Sequence, residues 1–313
     1  MIPINYRGQY RAIWKNKCLL ECYLPPRILG LSTFLNDETM SLPQAPEYKE
    51  SELREYDLLA KLLRRLWVSR AARYATEFCS HQFEADVATV EQVETDLAAY
   101  EQCMLYLQQV KFLTIKDVIR AHHCFLPSAR PGFRADLAWV GGATPNDADW
   151  VAMPAECLAG AIRDWLGFVN HSGNLCWHGL ALSYAQFIHI HPFPDANGRF
   201  VRCLHAWLAG RFGVSEIECS LLWLHQILTA RELLIPAMAR LRDGDDKPYW
   251  NYWGEAMLWV NSEVHWLRET THGSVSKELI GEWYSHYQQL IGTHAEGTAY
   301  ALRRNSHNSV LRG

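Results

Sequence analysis

The chain has 313 residues, about half of them apolar, a formal net charge of −4 and nine cysteines. This balance gives no electrostatic field suited to nucleic acid or an anionic membrane, and no apolar run reaches the roughly 18 residues of a membrane span. The cysteines are odd in number, lie mostly in apolar helical context and include no CxxC; Cys18 and Cys22 form CxxxC. They read as small buried hydrophobes of a reducing compartment. The N-terminus lacks the apolar stretch of a signal peptide, so the expectation is a cytoplasmic protein.

In chain order, residues 1–47 hold Pro25, Pro26, Pro43 and Pro46 and weak periodicity, which predicts a wrapping arm with little regular structure. From Glu50 to about Arg73 the pattern is helical. Val90, Val93, Leu97, Tyr100, Met104 and Leu107 form an amphipathic stripe. "LTIKDVIRAHHCFL" reads as a helix capped by Thr114. "RPGFRADLAWVGGATPNDADWVAMP" follows, with the one convincing hairpin signal.

Further helices are predicted around Leu158–Val169, Leu180–Ile188 and Phe200–Leu208, then across "SLLWLHQILTAREL" and from Trp250 to Leu267. The tryptophans of the last helices read as packing groups and not as a ligand cage. The expected fold class is all-α, a helical bundle with a short β-hairpin.

Residues 189–202, "HIHPFPDANGRFVR", place two histidines, an acid, an Asn-Gly pair and two arginines between two apolar helices. A helix ending near Ile190 and another starting near Ala196 or Asn197 would deliver these side chains to a helix N-terminus. That end has unpaired N–H groups and a partial positive charge. Gly198 permits close backbone approach, and Arg199 and Arg202 can lean toward one anion. Asp195 could hold a hard divalent cation against phosphate oxygens, and His191 can take a proton near neutral pH. Together these describe a phosphoryl or nucleotidyl transfer site. A plain turn with Asp195 as a cap is the bland alternative; it leaves the arginines unexplained. His189 and His191 as a metal pair are disfavoured, having no third ligand.

"HPFPDANGRFVR" resembles the signature of the Fic family, His-x-Phe-x-(Asp/Glu)-(Gly/Ala)-Asn-Gly-Arg-x-x-Arg, at every defined position. "RPGFRADLAWVGG" is similar to the family's hairpin flap, and the helix after it also fits. The resemblance implies a Fic-type helical bundle and covers most of residues 50–215; the expected domains are an arm over 1–47, which the resemblance does not place, a catalytic core over 48–215 and a C-terminal helical extension over 216–313. It implies an adenylyltransferase that moves AMP from ATP to a Ser, Thr or Tyr hydroxyl of a target protein. His191 would be the general base and Asp195 the Mg²⁺ ligand. Asn197, Gly198 and Arg199 would cradle the anion, Arg202 would bind the γ-phosphate, and Phe193 would anchor the loop. The flap, Arg134, Ala135, Asp136, Leu137, Ala138, Trp139 and Val140, would align the target by strand addition; for Trp139 itself packing is favoured.

"CSHQFEADVATVEQV" is similar to the family's inhibitory motif, (Ser/Thr)-x-x-x-Glu-(Gly/Asn), with an inhibitory helix near 76–90. Ser80 and Glu84 would be its defining residues, and Glu84 would hold Arg202 away from the γ-phosphate. Ala85 departs from the motif, which bears on the strength of inhibition. Transfer of UMP or phosphocholine, or removal of AMP, is the alternative on the same fold. A non-catalytic regulatory module ranks last, because His191, Arg199 and Arg202 are all present. The expected partners are a protein substrate, with homo-oligomerisation left open and no membrane; a nucleic-acid role is disfavoured by the absence of a basic recognition helix or wing.

Overall fold

The computed structural model describes residues 6–15, 18–28, 57–68, 90–141, 143–171, 176–211 and 213–271. Two strands open the chain, β1 (Gln9–Lys15) and β2 (Cys18–Leu24), paired antiparallel from Gln9–Leu24 to Lys15–Cys18. This corrects the expectation of an irregular arm. "QYRAIWK" and "CLLECYL" carry enough aromatic and aliphatic side chains to pack one face of a sheet, and Pro25 and Pro26 fall just after β2, where they end it without interrupting it.

The hairpin expected near the middle of the chain is present but short: β3 (Trp139–Val140) and β4 (Trp150–Val151). Its far side is taken by the chain's own start, since β2 pairs parallel with β4 through Cys22 and Val151. The four strands lie in the order β1-β2-β4-β3, so β3 is an edge. Gly141 follows β3 at φ 75°, and a β-carbon there would sit 2.4 Å from an Asp149 carboxylate oxygen. Only glycine fits that corner.

The rest is helical. α1 (Asp57–Val68) and α2 (Val90–Leu107) lead to α3 (Ile115–His123), whose start is fixed by a reciprocal capping box between Thr114 and Asp117. α4 (Leu158–Val169), α5 (Trp177–Ile190) and α6 (Asn197–Gly210) stack in sequence. α7 (Glu216–Thr229) begins with a second capping box, Ser215 with Glu218. It runs through a π-turn (Ala230–Leu234) into α8 (Ile235–Arg242), and α9 (Lys247–Thr271) closes the bundle.

α5 and α6 are buried along nearly their whole length and form the centre of the core. Tyr184 of α5 stacks on Trp223 of α7 and meets Trp253 of α9 edge-on. The tryptophans are thus packing groups, as their spacing predicts. Cys22, Cys103, Cys124, Cys157, Cys176, Cys203 and Cys219 are free, and no described helix is long and apolar enough to cross a membrane.

Candidate active site

α5 ends at Ile190 and α6 starts at Asn197, so the polar loop occupies residues 191–196. Its two ends are set by the only non-glycine residues with left-handed backbone among those described, His191 (φ 48°) and Ala196 (φ 61°). Histidine tolerates this region better than most residues; alanine does so at a cost of about 1 kcal/mol. Between them the chain reverses direction and aims its side chains at the beginning of α6, which no side chain caps.

Asn197 staples this reversal. Its side-chain N–H donates to the Phe193 carbonyl (2.8 Å), and its Oδ1 accepts from the Phe193 N–H (3.0 Å). The amide is therefore committed to the loop, and what Asn197 can offer an anion is its backbone. Phe193 is fully buried, stacked on His122 of α3 with ring centroids 3.6 Å apart. His122 also donates from Nε2 to the Asp195 carbonyl (2.9 Å), which fixes its tautomer because a carbonyl can only accept. Burial pulls the His122 pKa down to about 4, so the ring is a neutral strut.

Arg134 fastens the hairpin segment to the loop. It donates from Nε to the His191 carbonyl (2.7 Å), from Nη1 to the Asp136 carbonyl (2.8 Å) and from Nη2 to the Met153 carbonyl, while its backbone N–H donates to the Pro192 carbonyl (3.0 Å). At 6 % exposure it is an internal anchor and not a surface contact. Ala135 and Asp136 are exposed, Leu137, Ala138 and Val140 half-buried. Trp139, expected to pack, is 38 % exposed on the edge strand, because a strand of two residues offers too little neighbouring surface to cover an indole.

His191 is half-buried, and its pKa falls to about 4. Burial is the main cause and the Arg134 charge adds to it; the Ile188 carbonyl and Asp195 oppose it. The imidazole is therefore neutral and able to accept a proton throughout the neutral range. His189, two residues earlier, is fully buried and faces Tyr6, Tyr23 and Trp150. It takes part in packing, and no group of three metal-ligating side chains occurs among the described residues.

Arg199 and Arg202 project from the first turns of α6. Arg199 forms a largely buried ion pair with Asp96 of α2 and lies 3.8 Å from the Asp195 carboxylate. Arg202 donates from Nε to the Trp67 carbonyl of α1 (3.1 Å). A β-carbon on Gly198 would meet only the Arg202 guanidinium, at 3.5 Å, so the glycine leaves room beside that cation. Asp195 is more than half exposed, with one oxygen accepting from the Ala196 N–H (2.6 Å). Ser80 and Glu84 lie outside the described residues.

The structure therefore brings His191, Asp195, Gly198, Arg199 and Arg202 to one helix start. His122 and Asp96 were missed, although each is a polar group on an apolar stripe, beside Val118 and Ala121 and beside Val93 and Leu97 respectively. Asp96→Asn keeps the shape but leaves Arg199 short of a buried counter-charge. The nearby Asp195 compensates partly, so a loss of about 3 kcal/mol is expected in urea unfolding. An unchanged midpoint would show that Asp195 replaces Asp96 at no cost.

The molecule is thus a mainly helical protein with a small sheet, built around a polar loop between two buried helices. Residues 112–209 match the family model described as "Fic/DOC family". The protein adenylyltransferase Fic of Drosophila willistoni is 33 % identical over 109 residues, 34 % of this chain and 21 % of that protein. Its Drosophila melanogaster counterpart is 32 % identical over 109 residues, again 34 % and 21 %. The chain spans about a fifth of the length of these relatives. A variant of Fic-1 from C. elegans shares the fold, with a TM-score of 0.50, 15 % identity and coverage of 78 % of this chain and 73 % of that one.

Proposed function

We propose that this chain is a protein adenylyltransferase, transferring AMP from ATP to a Ser, Thr or Tyr hydroxyl of a target protein with release of pyrophosphate. The observation that carries the reading is the loop at the start of α6, where a neutral imidazole, a carboxylate and two arginines converge. The name of the relatives, protein adenylyltransferase Fic, supports it.

In this reading His191 takes the proton of the target hydroxyl as its oxygen attacks the α-phosphorus. The bond from that phosphorus to the bridging oxygen breaks, and pyrophosphate leaves with the electron pair. Arg199, Arg202 and the backbone of Asn197 and Gly198 hold the phosphate charge. The phosphates would also raise the pKa of His191 toward neutrality and make it a stronger base. Asp195 fits a Mg²⁺ ligand: an accessible carboxylate without further protein ligands suits a cation held mainly by phosphates and water. Bound there, Mg²⁺ would supply charge neutralisation of the phosphates.

The exposed β3 edge would receive an extended target segment through main-chain hydrogen bonds. Glu84 would restrain the enzyme by pairing with Arg202. Incubation with α-labelled ATP, Mg²⁺ and a cell lysate tests the reading. Wild type should label proteins faintly and Glu84→Gly strongly. Equal labelling would remove the inhibitory role and leave transfer standing; no protein-bound label from either would overturn adenylyl transfer.

A further inference from the structure

Away from the loop, a second set of groups is left without partners. Arg242, the last residue of α8, is only 5 % exposed. Its Nη1 is buried without a hydrogen-bond partner, and among the described residues the guanidinium forms no ion pair. It lies over the ring of Trp150 at 4.4 Å, and the negative end of α8 is adjacent. Both ease the burial of a cation, but neither accepts a hydrogen bond from Nη1.

The surrounding cluster has the same deficit. The Trp150 indole N–H and the Tyr23 hydroxyl are buried without partners. Both rings pack on His189. The Tyr6 hydroxyl donates to Gln186 (2.7 Å) and so accepts from His189 Nδ1 (3.0 Å). That leaves His189 Nε2 as the one bare acceptor among three unmatched donors.

Arg242 also lines a cavity of about 530 Å³ together with Arg7, Tyr10 and Asp243. Arg7 is exposed at its edge, its stem lying over Gly244, and among the described residues it has no ion pair. Two guanidiniums, one of them buried, thus border one cavity, and Asp243 on its wall forms an ion pair with neither. Nη1 itself is sealed from the cavity; what a molecule there can answer is the charge of Arg242, which water leaves uncompensated.

We propose that this cavity, formed by the N-terminal segment and the end of α8, binds a phosphate-bearing anion, with Arg242 as its buried ligand and Arg7 as its outer one. Phosphate supplies several acceptors in a geometry that suits arginine. The source is either free phosphate or the phosphate of a nucleotide, for which half-exposed Tyr10 offers a ring. The site does not depend on the proposed transfer reaction.

The test is calorimetric titration of the full chain with inorganic phosphate and with AMP at constant ionic strength. Wild type, Arg242→Gln, Arg7→Gln and Arg202→Gln are compared, the last to discount the loop at α6. Arg202→Gln should retain a phosphate site. Arg242→Gln should weaken it by about tenfold or more, as loss of one charge-assisted bond implies. Exposed Arg7→Gln, which leaves the core intact, should weaken it several-fold. AMP binding more tightly than phosphate would identify a nucleotide site; equal affinities would identify free phosphate as the ligand. Absence of binding at about 10 mM, loss with Arg202→Gln alone, or indifference to both Arg7 and Arg242 would overturn the proposal.

Discussion

His191→Asn should lower the proposed AMP transfer by about 100- to 10,000-fold, the usual contribution of a positioned general base, while the protein stays folded. Asparagine is the informative replacement because it tolerates the left-handed backbone that His191 adopts but cannot take a proton. His191→Ala should lose the same activity and also about 1 kcal/mol of stability, because its β-carbon is strained there. Single-turnover labelling in the Glu84→Gly background, with thermal unfolding of each variant, separates the two effects. If only the alanine variant is slow, the backbone matters and the imidazole does not act as the base.

The second large effect is acid instability. His122, His178, His189, His191 and His205 all have pKa values lowered chiefly by burial, His122 and His191 to about 4 and His205 to about 3. Each is neutral in the folded protein and titrates near its ordinary value of about 6.5 when unfolded. Below that pH the unfolded chain binds more protons, so stability is complete above about 6.5 and declines as pH falls toward the folded values of 3 to 4. A fully buried histidine loses about 1.4 kcal/mol per pH unit in that window; half-buried His191 loses less. Several acting together reach the whole stability of an ordinary domain, about 5–15 kcal/mol. Unfolding near pH 5 is therefore expected, somewhat above the ordinary carboxylate pKa values of about 4. Urea denaturation at pH 7.5, 6.5 and 5.5 checks this; a flat stability between 7.5 and 5.5 would mean that these histidines become protonated without unfolding the protein.

The loop at α6 was legible in the sequence because its residues are consecutive, and consecutive residues share a local geometry that spacing reveals. The same holds for the helices, whose apolar stripes and capping residues such as Thr114 report only their own neighbourhood. What supports the loop was less legible. Arg134 is bonded to the carbonyls of His191, Asp136 and Met153, and no pattern of residue types marks a side chain that will cap a distant helix end. Asp96 and His122 did leave a trace, as polar groups interrupting apolar stripes, but the stripe does not say who the partner is. The strand pair at the N-terminus was obscured by prolines that lie beyond it, and the bond between β2 and β4 joins residues more than a hundred positions apart.

That distance has a consequence for how the molecule is made. Tyr6 bonds to Gln186 and His189, the Pro26 carbonyl to Gln186, and the Ile28 N–H to Asp164. The segment around Tyr6–Ile28 is thus joined to helices synthesised much later. At about 5–20 residues per second it waits roughly 10–40 s for them, holding an unpaired strand edge toward other chains. Closing so long a loop is slow and is rewarded only at the end. The opening strands should therefore be the last part of the chain to dock, and crowding or slow translation at that stage should show first as aggregation of the nascent protein.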